Sequence, residues 1–124
     1  MATSCPTEYA ECQVLHQWLE LNHIRHTHIG NESQIGGRAG IIRGAKLKAI
    51  GQSKGFPDYL VIVNNQLIAI EMKRRKGGRL EPEQADWLES LESCGVKTYV
   101  CQGAAEAIEL VENLRSAGVI DDPN

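Results

Sequence analysis

Two short apolar runs separated by a pair of asparagines constrain this chain more than any other feature. Tyr59-Leu60-Val61-Ile62-Val63 and Gln66-Leu67-Ile68-Ala69-Ile70 read as strands, and Asn64-Asn65 between them suits a two-residue turn whose central residues take positive φ. If Val63 faces Gln66, then Val61 faces Ile68 and Asp58 faces Glu71, with their Cβ atoms about 4.5–5.5 Å apart. The hairpin therefore joins Gly55-Phe56-Pro57-Asp58 to Ile70-Glu71-Met72-Lys73. Two carboxylates so placed repel each other unless a hard divalent cation sits between them, where it can keep waters and substrate phosphates as its remaining ligands. Lys73 lies two residues beyond Glu71 and shares its sheet face. An acid pair with an ammonium beside it is what metal-assisted hydrolysis of a phosphodiester requires.

The length of 124 residues supports a single domain over 1–124, with a core over about 8–116 and a frayed tail over 119–124. There is no run of 18 apolar residues and no basic segment leading into an apolar one, so neither a membrane span nor a signal peptide is indicated. The expectation is a soluble, cytoplasmic protein. Cys5, Cys12, Cys94 and Cys101 match no zinc or redox spacing and read as reduced, mostly buried small residues. His23, His26 and His28 lack a fourth ligand at a suitable spacing, so a zinc site is not indicated.

The net charge of −3 conceals a partition along the chain. Residues 33–80 hold ten basic residues against two acids, a balance of +8, whereas the remainder holds three against fourteen, a balance of −11. The basic set is Arg38, Arg43, Lys46, Lys48, Lys54, Lys73, Arg74, Arg75, Lys76 and Arg79. The two acids are Asp58 and Glu71. A basic segment whose only carboxylates are the proposed metal ligands is the electrostatic footprint of a polyanion site with a cation at its centre.

Thr7 reads as an N-cap or first-turn residue of a helix running to about Asn22, with Val14, Leu15, Trp18, Leu19 and Leu21 as its apolar stripe. Glu8 and Glu11 fall within or beside that stripe; the helix N-terminus favours an acid at Glu8, and Glu8 is also placed to reach back toward a cation. His23 to Ile29 leads into a first strand that Gly30-Asn31-Glu32-Ser33 ends. Residues 34–54, with five glycines among cations, read as a long mobile loop lacking Gly-Lys-Ser/Thr, so no nucleotide-binding P-loop is present. Leu80-Glu81-Pro82-Glu83 opens a helix with Ala85, Leu88, Leu91 and Cys94 at apolar spacing and Gly95 as its stop. A strand over Val96 to Cys101 and a helix from Ala104 to Ser116, stopped near Gly118, complete the pattern. The expected architecture is an α/β domain, a small mixed sheet with a central hairpin flanked by helices, in the order α-β-β-β-α-β-α.

With these residues in view, the chain resembles the PD-(D/E)XK nucleases, a restriction-endonuclease-like core, and more narrowly the virus-type replication-repair nuclease domain, VRR-NUC. The match is carried by Gly55-x-Pro57-Asp58 followed by Glu71-x-Lys73, with Glu8, Asn31-Glu32, Gln84 and the run Leu91, Gly95, Val100 favouring the narrower family. It covers roughly residues 8–112. The resemblance implies a DNA phosphodiesterase using magnesium or manganese. Asp58, Glu71 and the main-chain carbonyl of Met72 would be metal ligands, Glu8 a further one, Lys73 the residue that orients or helps deprotonate water, and Gln84 an active-site helper. The remaining basic residues, Arg38, Arg43, Lys46, Lys48, Lys54, Arg74, Arg75, Lys76 and Arg79, would meet DNA. Phage-like members standing alone at this size resemble branched-DNA enzymes that act in replication, repair or recombination and pair into homodimers. Two other readings remain open: a catalytically silent nucleic-acid-binding module, and an interaction protein docking a basic partner through its acidic helices, Glu81 to Glu92 and Glu106 to Glu112.

Overall fold

The computed structural model of the chain describes residues 5–29 and 37–120. The elements in order are α1 (Glu8–Leu21), β1 (His26–His28), α2 (Gly37–Ala49), β2 (Tyr59–Val63), β3 (Gln66–Lys73), α3 (Pro82–Ser93), β4 (Lys97–Gln102) and α4 (Ala104–Ile120). Gly30 to Ser33, Asn31 and Glu32 included, and the last four residues of the expected tail lie outside the described residues.

The expected hairpin forms with the expected register. Asn64 and Asn65 take φ of 52° and 63°, the left-handed values a two-residue turn demands, and Val63 pairs with Gln66, Val61 with Ile68 and Tyr59 with Ile70. Asn64 Nδ2 donates to the Leu114 carbonyl at 2.7 Å, which pins the turn to α4. β1 runs antiparallel to β2 on its outer side, while β4 joins β3 in parallel after the α3 crossover, giving a mixed four-stranded sheet in the order β1-β2-β3-β4. β3 is buried from Ile68 to Lys73. Leu15 and Leu19 of α1 and Ala107 and Val111 of α4 pack with Val61, Val63, Ile68, Ile70 and Met72 to form the core.

Local signals place the helix starts. Thr7 Oγ1 accepts from Ala10 N at 3.0 Å and caps α1, and Pro82 opens α3 behind the N-cap Glu81. The buried faces differ from the expected stripes. In α1, Glu11, Cys12, Leu15 and Leu19 are buried, while Val14 and Leu21 are 49% and 78% exposed. At 100° per residue, Val14 and Leu21 lie well to one side of the line through Leu15 and Leu19. In α3, Ala85 and Cys94 are exposed, and the half-buried face runs through Gln84, Trp87, Leu88 and Leu91. That rotation aims Gln84 at the sheet.

The long loop expected over 34–54 is corrected by α2. Ala39, Arg43, Ala45, Lys46, Leu47, Lys48 and Ala49 are good helix formers, and Lys46 and Lys48 occupy the last turn, where the helix dipole favours cations. They outweigh Gly40 and Gly44, each costing about 1 kcal/mol relative to alanine. The element order is therefore α-β-α-β-β-α-β-α. The last helix also continues past Ser116 and Gly118 to Ile120. The four cysteines are free; Cys12 and Cys101 are buried, Cys5 is half-buried, and Cys94, expected inside, is exposed. Among the described residues no helix is long and apolar enough to cross a membrane.

Candidate active site

The closing pair of a two-residue hairpin is hydrogen-bonded, so pairs alternate outward from Val63 and Gln66. The ladder ends at the pair Tyr59 and Ile70, and just beyond it the Met72 amide donates to Asp58 Oδ2 at 2.7 Å, which holds Asp58 against the end of β3 next to Glu71.

The loop carrying Pro57 and Asp58 is seated on α3. Gly55 has φ of +98°, and a Cβ there would lie 2.7–2.8 Å from atoms of Glu83, closer than any side chain can come. Phe56 meets Trp87 edge to face, with ring centroids 5.0 Å apart. The glycine of the Gly-x-Pro-Asp run is required by that close approach, and Trp87 serves to hold the loop.

Asp58, Glu71, Lys73 and Gln84 converge. Glu71 and Lys73 are 2% and 5% exposed, uncommon for charged residues without partners. Gln84 brackets them: its Nε2 donates to Glu71 Oε2 at 3.0 Å, and its Oε1 accepts from Lys73 Nζ at 2.8 Å and from Glu81 N at 2.8 Å. The backbone donor at Glu81 and the ammonium fix the orientation of the amide, because only its oxygen accepts. Lys73 Nζ lies 3.5 Å from Glu71 Oε2. The other oxygen, Glu71 Oε1, is buried with no hydrogen-bond partner among the described residues. Burial, followed by the charge of Asp58, pushes the Glu71 carboxyl up to about 8, while Lys73 pulls it down. A buried acid crowded by a second acid holds a proton near neutrality or takes a cation in its place.

Glu8 heads α1 and is half-buried. Its charge, with those of Asp58 and Glu71, bears on the buried Cys12 thiol, which is pushed up to about 12 chiefly by burial and next by Asp58. Among the described residues no three His, Cys, Asp or Glu side chains suffice by themselves to hold a metal, so a cation at Asp58 and Glu71 would complete its shell with main-chain and water oxygens. The donor set, two carboxylates with the main-chain carbonyl of Met72 between Glu71 and Lys73, is all oxygen and fits a hard divalent ion.

Glu11 is the residue that sequence reasoning left without a role. It is 2% exposed, its Oε1 accepts from Ala104 N at 2.9 Å and its Oε2 from Arg75 Nε at 2.8 Å. It ties α1 to the end of β3 and the start of α4, and Gly103 N donates to the Lys73 carbonyl at 2.9 Å in the same knot. An acid inside an apolar stripe was the only signal; its partners lie 64 and 93 residues away. Arg38, Arg43, Lys46 and Lys48 lie exposed on α2, Lys54 is exposed ahead of Gly55, and Arg74, Lys76 and Arg79 are exposed beyond β3.

The sequence profile of the VRR-NUC domain matches residues 6–105, which spans α1 to the start of α4 and includes every residue of the converging set. The chain belongs to the VRR-NUC family. The VRR-NUC fold is also found by superposition on a solved "VRR_NUC domain protein", with a TM-score of 0.69 at 19% identity over 92% of each chain. A second solved structure, a "VRR_NUC domain", gives a TM-score of 0.60 at 18% identity over 86% of this chain and 97% of that one. No match is found among curated proteins. The protein is thus a nuclease-type domain, mixed α/β, with a four-stranded mixed sheet flanked by helices.

Proposed function

We propose that this VRR-NUC chain is a metal-dependent DNA endonuclease, selective for branched structures such as flaps or junctions and acting as a homodimer. The observation that supports the reading is the buried Glu71 Oε1, which has no hydrogen-bond partner among the described residues, in a carboxyl raised by burial and by the charge of Asp58. Asp58, Glu71 and the Met72 carbonyl would hold magnesium or manganese, with Glu8 acting directly or through water. When bound, such an ion supplies the charge that polarises the phosphate and lowers the pKa of a bound water. Lys73, fixed by Gln84 within 3.5 Å of Glu71, stands where an ammonium can hold the attacking water and offset charge developing on the phosphate. Gln84 spends no motion on this, since its amide is already committed on three sides. Exposed cations on α2 and beyond β3 supply the sequence-independent attraction for the DNA backbone.

The experiment incubates labelled linear, flap and four-way-junction DNA with the purified chain in magnesium, manganese or chelator. Cutting is expected only with a divalent ion and best on branched substrates. Asp58→Ala and Lys73→Ala should each lower the rate by about 10²-fold or more while the fold survives, because neither belongs to the apolar core. Undiminished cutting by both variants refutes the assignment. A silent DNA-binding module has less support, because the Glu71, Gln84 and Lys73 network is fully assembled. A docking role for the acidic helices is also less supported: Glu92 accepts from Thr98 N and Oγ1, and Glu106 from Gln102 N, so both carboxylates serve the chain's own backbone.

A further inference from the structure

A concavity opens between α1 and the β1 edge of the sheet. It has a volume of about 170 Å³ and is lined by Tyr9, Cys12, Gln13, His16, His28 and Tyr59. Its lining is aromatic and hydrogen-bonding, with no formal anion among the six. Tyr9 is 58% exposed and stands at the rim. His28 packs edge-on against Tyr59, with centroids 5.0 Å apart, and its Nε2 is buried with no partner among the described residues.

The polar groups around it are otherwise committed, which narrows what it can take. The Ile24 carbonyl only accepts, so His26 Nδ1, 2.7 Å away, carries a proton, and His26 Nε2 and His16 Nδ1 share a hydrogen bond at 2.8 Å. Tyr59 Oη donates to the Cys12 carbonyl at 3.0 Å. Burial, above all, pushes the Cys12 thiol up to about 12. What remains is an aromatic rim, a free amide at Gln13 and an unsatisfied imidazole nitrogen, which together suit a flat heterocycle with edge donors and acceptors.

The hollow is tied to Asp58 through the backbone: Tyr59, which lines it, directly follows Asp58, and Ile29 N, next to His28, donates to the Asp58 carbonyl at 2.7 Å. We infer that this hollow receives an unpaired nucleobase of the DNA strand next to the scissile phosphate, with Tyr9 stacking on the base and His28 and Gln13 meeting its edge. The inference rests on the nuclease reading and deepens it. A base can enter only after leaving its stack, so the hollow rewards substrates that already carry unpaired nucleotides, as flaps and junction branches do.

The test places 2-aminopurine at successive unpaired positions flanking the branch of a flap and follows its fluorescence on binding to the full chain in chelator. One position should be quenched by the unmutated protein and by Tyr9→Phe, but not by Tyr9→Ala. The Kd for the flap should weaken about ten-fold in Tyr9→Ala and a few-fold in His28→Phe, which keeps the ring against Tyr59, while the Kd for blunt duplex stays unchanged. Equal weakening on duplex and flap, or no change on either, overturns the base site while the nuclease reading stands if the unmutated chain still cuts. An unmutated chain that neither binds nor cuts any DNA overturns both.

Discussion

Replacing Glu11 tests how the end of β3 is held in place. Glu11→Ala removes the acceptor of Ala104 N, leaving a buried amide unpaired at about 1–3 kcal/mol. It also deletes buried methylene, at about 0.8 kcal/mol per group. The ion pair adds little, about 0–1 kcal/mol, because the Arg75 side chain is 59% exposed and can turn to water. The combined loss is about 3 kcal/mol. Glu11→Gln keeps an oxygen for Ala104 N and the side-chain volume, so its loss should be about 1 kcal/mol. For a chain of this size, each kcal/mol lowers Tm by about 4 °C, so thermal unfolding followed by circular dichroism should show drops of about 12 °C and 4 °C. Urea midpoints should fall in the same order at constant slope. If Glu11→Gln were as damaging as Glu11→Ala, the anionic charge rather than the backbone acceptor would be the stabilising element, and the reasoning would fail.

Two further outcomes follow from the carboxylate slot. The folded-state pKa of Glu71 lies above the ordinary 4.5, at about 8, so between those values the folded protein holds a proton that the unfolded chain has released. Its contribution to stability in metal-free buffer is present in full below pH 4.5 and is lost as pH rises toward 8; Asp58→Asn, which keeps an acceptor for Met72 N, should flatten that slope, and an unchanged slope would remove Asp58 as a cause. Gln84→Ala removes the donor to Glu71 Oε2 and the acceptor of Lys73 Nζ, so isothermal titration with manganese should show weaker binding while far-UV spectra are retained; equal or tighter binding would show that Gln84 does not position Glu71.

The parts of this protein legible in its sequence are those governed by neighbours along the chain. Asn64-Asn65 dictates a left-handed turn, alternation dictates which residues face each other, and together they bring Asp58 to Glu71 before any other contact is known. Thr7 and Pro82 mark helix starts for equally local reasons, an accepting hydroxyl and a ring without an N–H. Helix α2 escaped because its glycines look like breaks, whereas propensity summed over the whole segment still favours helix. The faces of α1 and α3 escaped because a stripe of 100° periodicity leaves a residue of freedom in rotation, which only packing against the sheet removes.

The working detail of the site is tertiary. Gln84 and Lys73 stand eleven residues apart and Glu11 and Ala104 ninety-three, and no local rule pairs them. Chain order could announce that Asp58 and Glu71 would meet, but whether their charges would be hydrated or stranded depended on what the rest of the molecule stacked over them. Folding buried Glu71, bound one of its oxygens to Gln84 and left the other without a hydrogen-bond partner among the described residues. Desolvation is a property of the whole surrounding volume, so the step from two facing acids to a buried carboxyl raised well above its ordinary range belongs to the tertiary structure alone.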